Sequence, residues 1–456
     1  MEDAKAKVRC IESEREALLT FKNGLIDKNG ILSSWQSDEC CKWHGVECNN
    51  TTGHVITLQI DGVVDMDYVG ELQGEVRSSL LELHHLNYLD LTQINFGGVL
   101  IPEFIGSMKQ LQHLYLNSCN FSRTIPPQLG NLTNLRTLDL SWNDFGGIPI
   151  PEFIGSMKQL QHLYLNGCNF SRSIPSQLRN LTNLRALYIS QNSLSSISPF
   201  VFGSIFGSLE TLHLSDNQFT GLMPSLRVFP SLIKLDLSKN NFTGTVPLSI
   251  GQLSKLQLLD LSHNSLEGLV PPSIGQLSEL QHLDLSHNSL EGLVSESHFS
   301  KLYKLKSLDL SFNPLLMLDT SLNWSPPFQL KYIYLVRCNV GQFPKWIQTQ
   351  MNLSYLDLSG ANITDEAPIW LWNMSSSLHY LYLSQNQISG AVPNISSMSI
   401  WFMDLSYNQF SGHIPPFPVN APLNGEVPNC WEKMFDLESL SVIDVEGNKL
   451  TGEIPI

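Results

Sequence analysis

Apolar residues recur along this chain in a short, strict pattern. LRTLDLSWNDF at 135–145, LIKLDLSKNNF at 232–242, LQLLDLSHNSL at 256–266 and LQHLDLSHNSL at 280–290 all read LxxLxLxxNxL. The LxL core has the period of two that marks a strand, so each unit predicts a short strand with one face buried and one in solvent. One such strand cannot bury its Leu row alone, but a stack of coils can. The residues at the Asn position are Ile94, Cys119, Asn143, Cys168, Asn192, Asn217, Asn240, Asn264, Asn288, Asn313, Cys338, Ala361, Asn386, Asn408 and Asn448, in steps of 22 to 25 residues as far as Asn408. The pattern therefore predicts a repeat solenoid of about fifteen coils.

Where the chain leaves each strand, an Asn side chain is placed to hydrogen-bond backbone groups of adjacent coils and form a ladder. Cys119, Cys168 and Cys338 fall on the same rungs, each without a Cys or His partner in its own coil, and read as buried, reduced ladder residues rather than metal ligands or redox thiols. Most units continue into Gly and an apolar-Pro pair, such as Gly244 with Val246 and Pro247, or Gly412 with Ile414 and Pro415. Gly permits the sharp departure, and Pro suits an edge position that lacks a donor. With this LxGxIP extension the chain resembles the plant-specific class of leucine-rich repeats from about residue 80 to 456. The resemblance implies an α/β repeat solenoid, a right-handed superhelix with a parallel sheet on its concave face and a second strand row on its flank.

Two segments are near copies: residues from Ile101 recur from Ile150, and residues from Ile250 recur from Ile274. Whole-unit duplication keeps the stack in register. One unit is broken, because 40 residues separate Asn408 from Asn448 and the proline-rich stretch from Pro415 to Pro422 contains no LxxLxL. The organisation expected is an extension at 1–9, a cysteine-rich cap at 10–53, and repeats at 54–456 with a degenerate unit near 415–425 and no C-terminal cap.

In the cap, Ser13 with Glu16 predicts a capping box, followed at helical spacing by Ala17, Leu18, Phe21 and Leu25. Cys10, Cys40, Cys41 and Cys48 suit two disulfides, with a zinc site as the rival; adjacent Cys40 and Cys41 lack the CxxC spacing that zinc prefers. The LSSW at Leu32–Trp35 and the CCKWHGVEC at Cys40–Cys48 resemble the N-terminal cap of plant receptor-like proteins, receptor kinases and polygalacturonase inhibitors. That resemblance implies pairs Cys10 with Cys40 and Cys41 with Cys48. GEVPNCW at 425–431 resembles a late repeat of receptor-like proteins whose Cys pairs one unit earlier; here that half-unit is missing, so Cys430 is expected to stand alone.

Composition narrows the function. The net charge is −15, which leaves no basic face for nucleic acid or anionic lipid. As written, the chain shows neither an export signal nor a spanning helix, so membrane attachment would need a segment outside it. Twelve N-x-S/T acceptors, at Asn49, Asn50, Asn120, Asn131, Asn169, Asn180, Asn241, Asn323, Asn352, Asn362, Asn373 and Asn394, are candidates for glycosylation of an extracellular chain.

By resemblance the chain is the ectodomain, or a fragment of one, of a plant receptor-like protein of the disease-resistance kind. It would sit at the outer face of the plasma membrane or in the apoplast, bind a protein, peptide or glycan ligand on its concave face, and signal through partner receptor kinases. The alternative is a secreted inhibitor resembling the polygalacturonase inhibitors, which carry fewer units and a terminal cysteine cap.

No enzyme, cofactor or metal is expected. The nearest catalytic candidate, the column Asp236, Asp260, Asp284 and Asp309, reads as an acidic solvated ridge native to the LDLS pattern. His263 and His287 stack in one column, an arrangement inherited from the duplicated DLSHNSL. The ligand-binding residues expected are Tyr115, Tyr164, Tyr188, His213, Tyr334 and Tyr382, which replace the strand Asp, and Trp142, Phe312, Arg337 and Tyr407 just before the rung. Exposed aromatics and Arg dominate interface energies; the competing reading is a Tyr ladder that stiffens the sheet.

Overall fold

The computed structural model describes residues 9–60, 72–197, 207–374, 377–395, 398–414 and 442–451. The degenerate stretch at 415–425, Cys430 and residues 1–8 lie outside the described residues. The chain forms two compact units, one of residues 1–220 with 228–232 and one of residues 221–227 with 233–456.

In the first unit, the cap helix α1 (Glu12–Lys22) buries Ala17, Leu18 and Phe21. Its start differs from the capping box read from sequence: Ile11 is the N-cap and no side chain caps the helix. Glu12 instead pairs with Arg15, at 2.6 Å. The carboxylate that matters is Glu14, 2 % exposed, which accepts from the Val55 amide at 2.7 Å and faces His54 Nδ1 at 2.9 Å. It thus joins the helix to the strand Val55–Gln59 of the sheet. Leu25 leaves the helix for a short strand, Leu25–Asp27, antiparallel to Leu72–Gly74. Disulfides Cys10–Cys40 and Cys41–Cys48 staple the cap. Trp35 stacks on Trp43 with centroids 5.2 Å apart.

The sheet of this unit opens with Val46–Cys48 antiparallel to Val55–Gln59 and then runs parallel through Tyr88–Asp90, His113–Tyr115, Thr137–Asp139, His162–Tyr164, Ala186–Tyr188 and Thr211–His213. In the second unit nine parallel strands follow in order from Lys234–Asp236 to Val442–Asp444. Phe402–Asp404 pairs directly with Val442–Asp444, so those strands are neighbours although 37 residues separate them. The middle Leu, Ile or Met of each repeat strand as far as Phe402–Asp404 is buried, and Ile443 on the last described strand is half-buried. Behind them short 3-10 turns such as Glu103–Ser107 and Pro272–Gln276 close the coils. A second strand row lies on the flank: in the second unit it includes Asn241–Gly244, Ser265–Leu269, Ser289–Val294 and Leu315–Leu318.

The ladder explains why these coils stack. Asn313 is wholly buried; its Nδ2 donates to the carbonyls of Leu285 on the preceding coil at 3.0 Å and Leu310 on its own at 2.9 Å. Its Oδ1 accepts from the Leu290 amide of the preceding coil at 3.0 Å. Asn143, Asn217, Asn288, Asn386 and Asn408 repeat this set. Cys119, Cys168 and Cys338 keep the donor half only: each Sγ reaches a preceding-coil carbonyl, Leu91, Leu140 or Leu310, at 3.0, 3.2 and 2.9 Å. At the first two, the amide an Asn would have served, Phe96 or Phe145, turns to the Cys backbone carbonyl. All three thiols are free and buried, and burial pushes the Cys168 and Cys338 thiols up to about 12.

Two outcomes follow from this ladder. Asn313→Ala strands a buried amide and a carbonyl, so urea unfolding followed by circular dichroism should show a loss of about 2–4 kcal/mol, with Asn313→Cys losing less. Iodoacetamide should leave Cys119, Cys168 and Cys338 unmodified in the folded chain and label them only once it is unfolded.

Candidate ligand-binding face

Each coil presents three outward positions on the sheet side: the first and third residues of the strand, which alternate with the buried Leu, and the residue just before the rung. In the first unit the third position runs Asp90, Tyr115, Asp139, Tyr164, Tyr188, His213 in register. The Tyr164 and Tyr188 rings stack at 4.9 Å and Tyr188 and His213 at 4.7 Å, giving one continuous three-ring ladder. Tyr115 stands apart from it because Asp139 is its register neighbour; its ring packs on Tyr88 at 5.4 Å.

In the second unit Asp357 separates Tyr334 from Tyr382 in that column. Tyr355, from the first position, closes the gap, at 4.7 Å from Tyr334 and 5.3 Å from Tyr382, and Tyr382 continues onto Phe402 at 4.9 Å. Sequence reasoning missed Tyr88, Tyr355, Phe402 and the neighbouring Tyr380. The signal was present: they fill the x immediately before the LxL core, on the same side as the Asp column. Tyr115, Tyr164, Tyr188, His213, Phe312, Tyr334 and Tyr382 are half-buried by this mutual packing, whereas Trp142, Arg337 and Tyr407 are exposed. Burial, with nearby carboxylates, pushes the Tyr334 and Tyr382 hydroxyls up to about 12.

The position before the rung has a backbone peculiarity. Every described residue there has positive φ, including Trp142 at 59°, His263 at 52°, His287 at 51°, Phe312 at 56°, Arg337 at 52° and Tyr407 at 52°. The left-handed turn aims each amide at the next coil: Trp142 donates to Asn166 O at 2.7 Å, His287 to Ser311 O at 2.8 Å and Phe312 to Val336 O at 2.7 Å. A non-Gly residue costs about 1–2 kcal/mol in this conformation, yet bulky side chains occupy it. Trp142 lies over Gly167, and Tyr407 over Gly447, where a Cβ would clash. The His263 and His287 rings stack at 3.9 Å, His287 and Phe312 at 4.1 Å, and the Arg337 guanidinium caps Phe312 at 5.5 Å.

The Asp column differs from the solvated ridge expected of it. Asp236, Asp260, Asp284 and Asp309 are half-buried, and each Oδ1 accepts from the amide of the Ser two residues on, at 3.0, 2.9, 2.9 and 2.8 Å. The carboxylates thus pin the bend that follows the strand. Burial, then the neighbouring Asp284, lifts Asp260 to about 6, while burial and the His263 imidazole lower His287. Of the twelve N-x-S/T acceptors, eleven are exposed and none lies on a strand of the main sheet. Asn49 is half-buried, its Oδ1 taken by Thr51 and Thr52.

A family profile for the leucine-rich repeat region matches residues 54–214 and 208–421, and one for the leucine rich repeat N-terminal domain matches residues 11–49. Receptor-like protein EIX2 of Solanum lycopersicum is 49 % identical over 127 residues, 27 % of this chain and 12 % of that protein, so the match spans about an eighth of the relative's length. The Arabidopsis receptor kinase HAESA, solved in complex with the peptide hormone IDA and the co-receptor SERK1, superposes with a TM-score of 0.78 at 30 % identity, over 89 % of this chain and 67 % of that one. The ectodomain of Arabidopsis GASSHO1/SCHENGEN3, in complex with CASPARIAN STRIP INTEGRITY FACTOR 2, also gives 0.78, at 27 % identity, over 96 % of this chain and 53 % of that one.

The Asp column makes stability pH-dependent in a definite sense. Asp260 titrates near 6 in the fold against 3.8 unperturbed, so between these values the folded chain holds a proton that the unfolded chain has lost, and stability falls as pH rises through the window. His287, lowered from 6.5, acts oppositely just below that value: the unfolded chain takes up the proton first, so stability rises with pH there. Asp260→Asn keeps the acceptor for Ser262 and should raise stability at neutral pH by about 1–2 kcal/mol, discounted for partial exposure. Melting temperatures from pH 4 to 7, about this window, should show the fall on the Asp side flattened and the His slope retained.

Proposed function

The chain belongs to the leucine-rich-repeat family, and on that premise we propose that its sheet face recognises an extracellular ligand as the binding part of a plant cell-surface receptor-like protein in defence signalling. One observation carries this reading: non-glycine aromatic and cationic side chains sit at the left-handed position before the rung, where the backbone favours Gly. Strain kept at exposed side chains that neither fill the core nor cap a turn is a mark of binding surface. The Tyr164–Tyr188–His213 and Tyr334–Tyr355–Tyr382 stacks extend it, and stacked rings lose little entropy when a partner covers them.

The likeness to HAESA supports a peptide or protein as ligand and a receptor kinase as signalling partner. Residues 10–53 act as the cap and the repeats begin at 54. N-glycans on the exposed acceptors would shield coil edges and leave the sheet strands uncovered. The protein so placed works at the outer face of the plasma membrane, binding rather than catalysing.

The test uses secreted, purified chain captured on a surface-plasmon-resonance chip and fractionated microbial culture filtrate as the probe. Trp142→Gly, which relieves backbone strain, and the pair Tyr164→Ala with Tyr188→Ala should each weaken binding of the retained fraction by on the order of 2 kcal/mol, with Trp142→Gly melting no lower than wild type. Unchanged affinity with a lowered melting temperature for the Tyr pair would make the aromatic column a structural ladder and overturn its assignment as the binding face.

A further inference from the structure

The flank row of the second unit carries a surface that the sheet face does not use. In a strand of this row alternate side chains point outward, and on Ser265–Leu269, Ser289–Val294 and Leu315–Leu318 the outward residues are Glu267 and Leu269, Glu291 and Leu293, Leu315 and Met317. Leu269, Leu293, Leu315 and Met317 are 64, 53, 63 and 40 % exposed. Register sets Leu269 beside Glu291 and Glu291 beside Leu315, with Leu293 beside Met317, so the Glu291 carboxylate is flanked by Leu on both neighbouring coils. Gly292 leaves room for the plateau to lie flat, since a Cβ there would stand 2.4 Å from Leu269 Cδ2. The Glu267 and Glu291 carboxylates have no hydrogen-bond or ion-pair partner among the described residues. No N-x-S/T acceptor occurs between Asn241 and Asn323, so these coils carry no glycan site of their own.

We infer that this flank plateau docks a second protein whose surface interleaves aliphatic side chains with Lys or Arg. A contiguous exposed apolar patch marks an interaction site, and the occupant follows from charge. A second copy meeting the same patch by a two-fold axis would gather four carboxylates, Glu267 and Glu291 of each copy, into one patch with no cation while water is excluded, which is repulsive. An anionic membrane surface is repelled by the same carboxylates. A basic, aliphatic partner satisfies both. The plateau is independent of the ligand site, because its residues lie on the flank strands and none belongs to the sheet columns.

The experiment titrates a short fluorescent peptide alternating Leu and Lys, and its Leu–Glu twin, into the full chain by anisotropy at low and high salt. The Leu–Lys peptide should bind at least about tenfold tighter than the twin, with salt weakening it. Glu267→Lys with Glu291→Lys should reverse that preference. Leu269→Ser with Leu293→Ser and Met317→Ser should weaken Leu–Lys binding by about tenfold or more, with melting unchanged because these side chains are outside the core. Equal binding to wild type and both variants would overturn the proposal. So would a concentration-dependent dimer in sedimentation velocity that the triple Ser variant abolishes, since the occupant would then be a second copy.

Discussion

Everything in these coils depends on satisfying the backbone where it leaves the strand. There the chain turns inside a stack, with carbonyls and amides that water does not reach, and each unpaired one would cost about 1–3 kcal/mol. Asn meets the need because one amide group both donates and accepts, reaching two carbonyls with Nδ2 and an amide with Oδ1, as at Asn313. Cys119 and Cys168 show what the alternative demands: a thiol supplies the donor, and the neighbouring Phe amide re-pairs with backbone. The ladder therefore tolerates rungs with fewer side-chain hydrogen bonds, down to none at Ala361, where the backbone re-pairs, as the Val340 amide does with the Ala361 carbonyl.

The same requirement shapes the face offered to partners. To send its amide to the next coil, the residue before each rung adopts positive φ, and the side chain there is thrown onto the sheet side. Chemistry at that position is then free to vary, at the expense of strain, and varies from Gly167 and Gly360 to Trp142, Phe312 and Arg337. The strand Asp is held to a narrower role, since its Oδ1 secures the following Ser amide. Where Tyr replaces it, the bend holds without that bond and the surface gains a ring. A single aromatic column thus stiffens the sheet and offers contact area at once, and mutation separates these roles only if stability and affinity are read together.

The cap and the flank illustrate opposite uses of acidic groups. Glu14 is buried, and its carboxylate is consumed by the Val55 amide and His54, so it serves as a joint between helix and sheet. Glu267 and Glu291 are exposed, unpaired and set among Leu side chains. Burial with donors makes a carboxylate structural, whereas exposure in an apolar setting leaves its charge to discriminate between partners.

Sequence alone determined the features that repeat at fixed spacing. The Leu rows, the rung positions with their Cys substitutes and the strand register follow from local pattern, because every coil meets the same neighbours and any local choice is enforced along the stack. The cap pairs Cys10–Cys40 and Cys41–Cys48 came with the resemblance, and the bridges are formed as it implied. Tertiary structure decided what depends on side chains from different coils. That Glu14 rather than Glu16 joins the helix to the sheet, that Tyr355 bridges Tyr334 and Tyr382 while Tyr115 turns to Tyr88, and that the Asp column is half-buried all rest on ring and carboxylate directions across coils. A one-dimensional pattern names which residues share a column; only the packed stack sets which of them touch, because contact is fixed by side-chain direction and burial rather than by spacing.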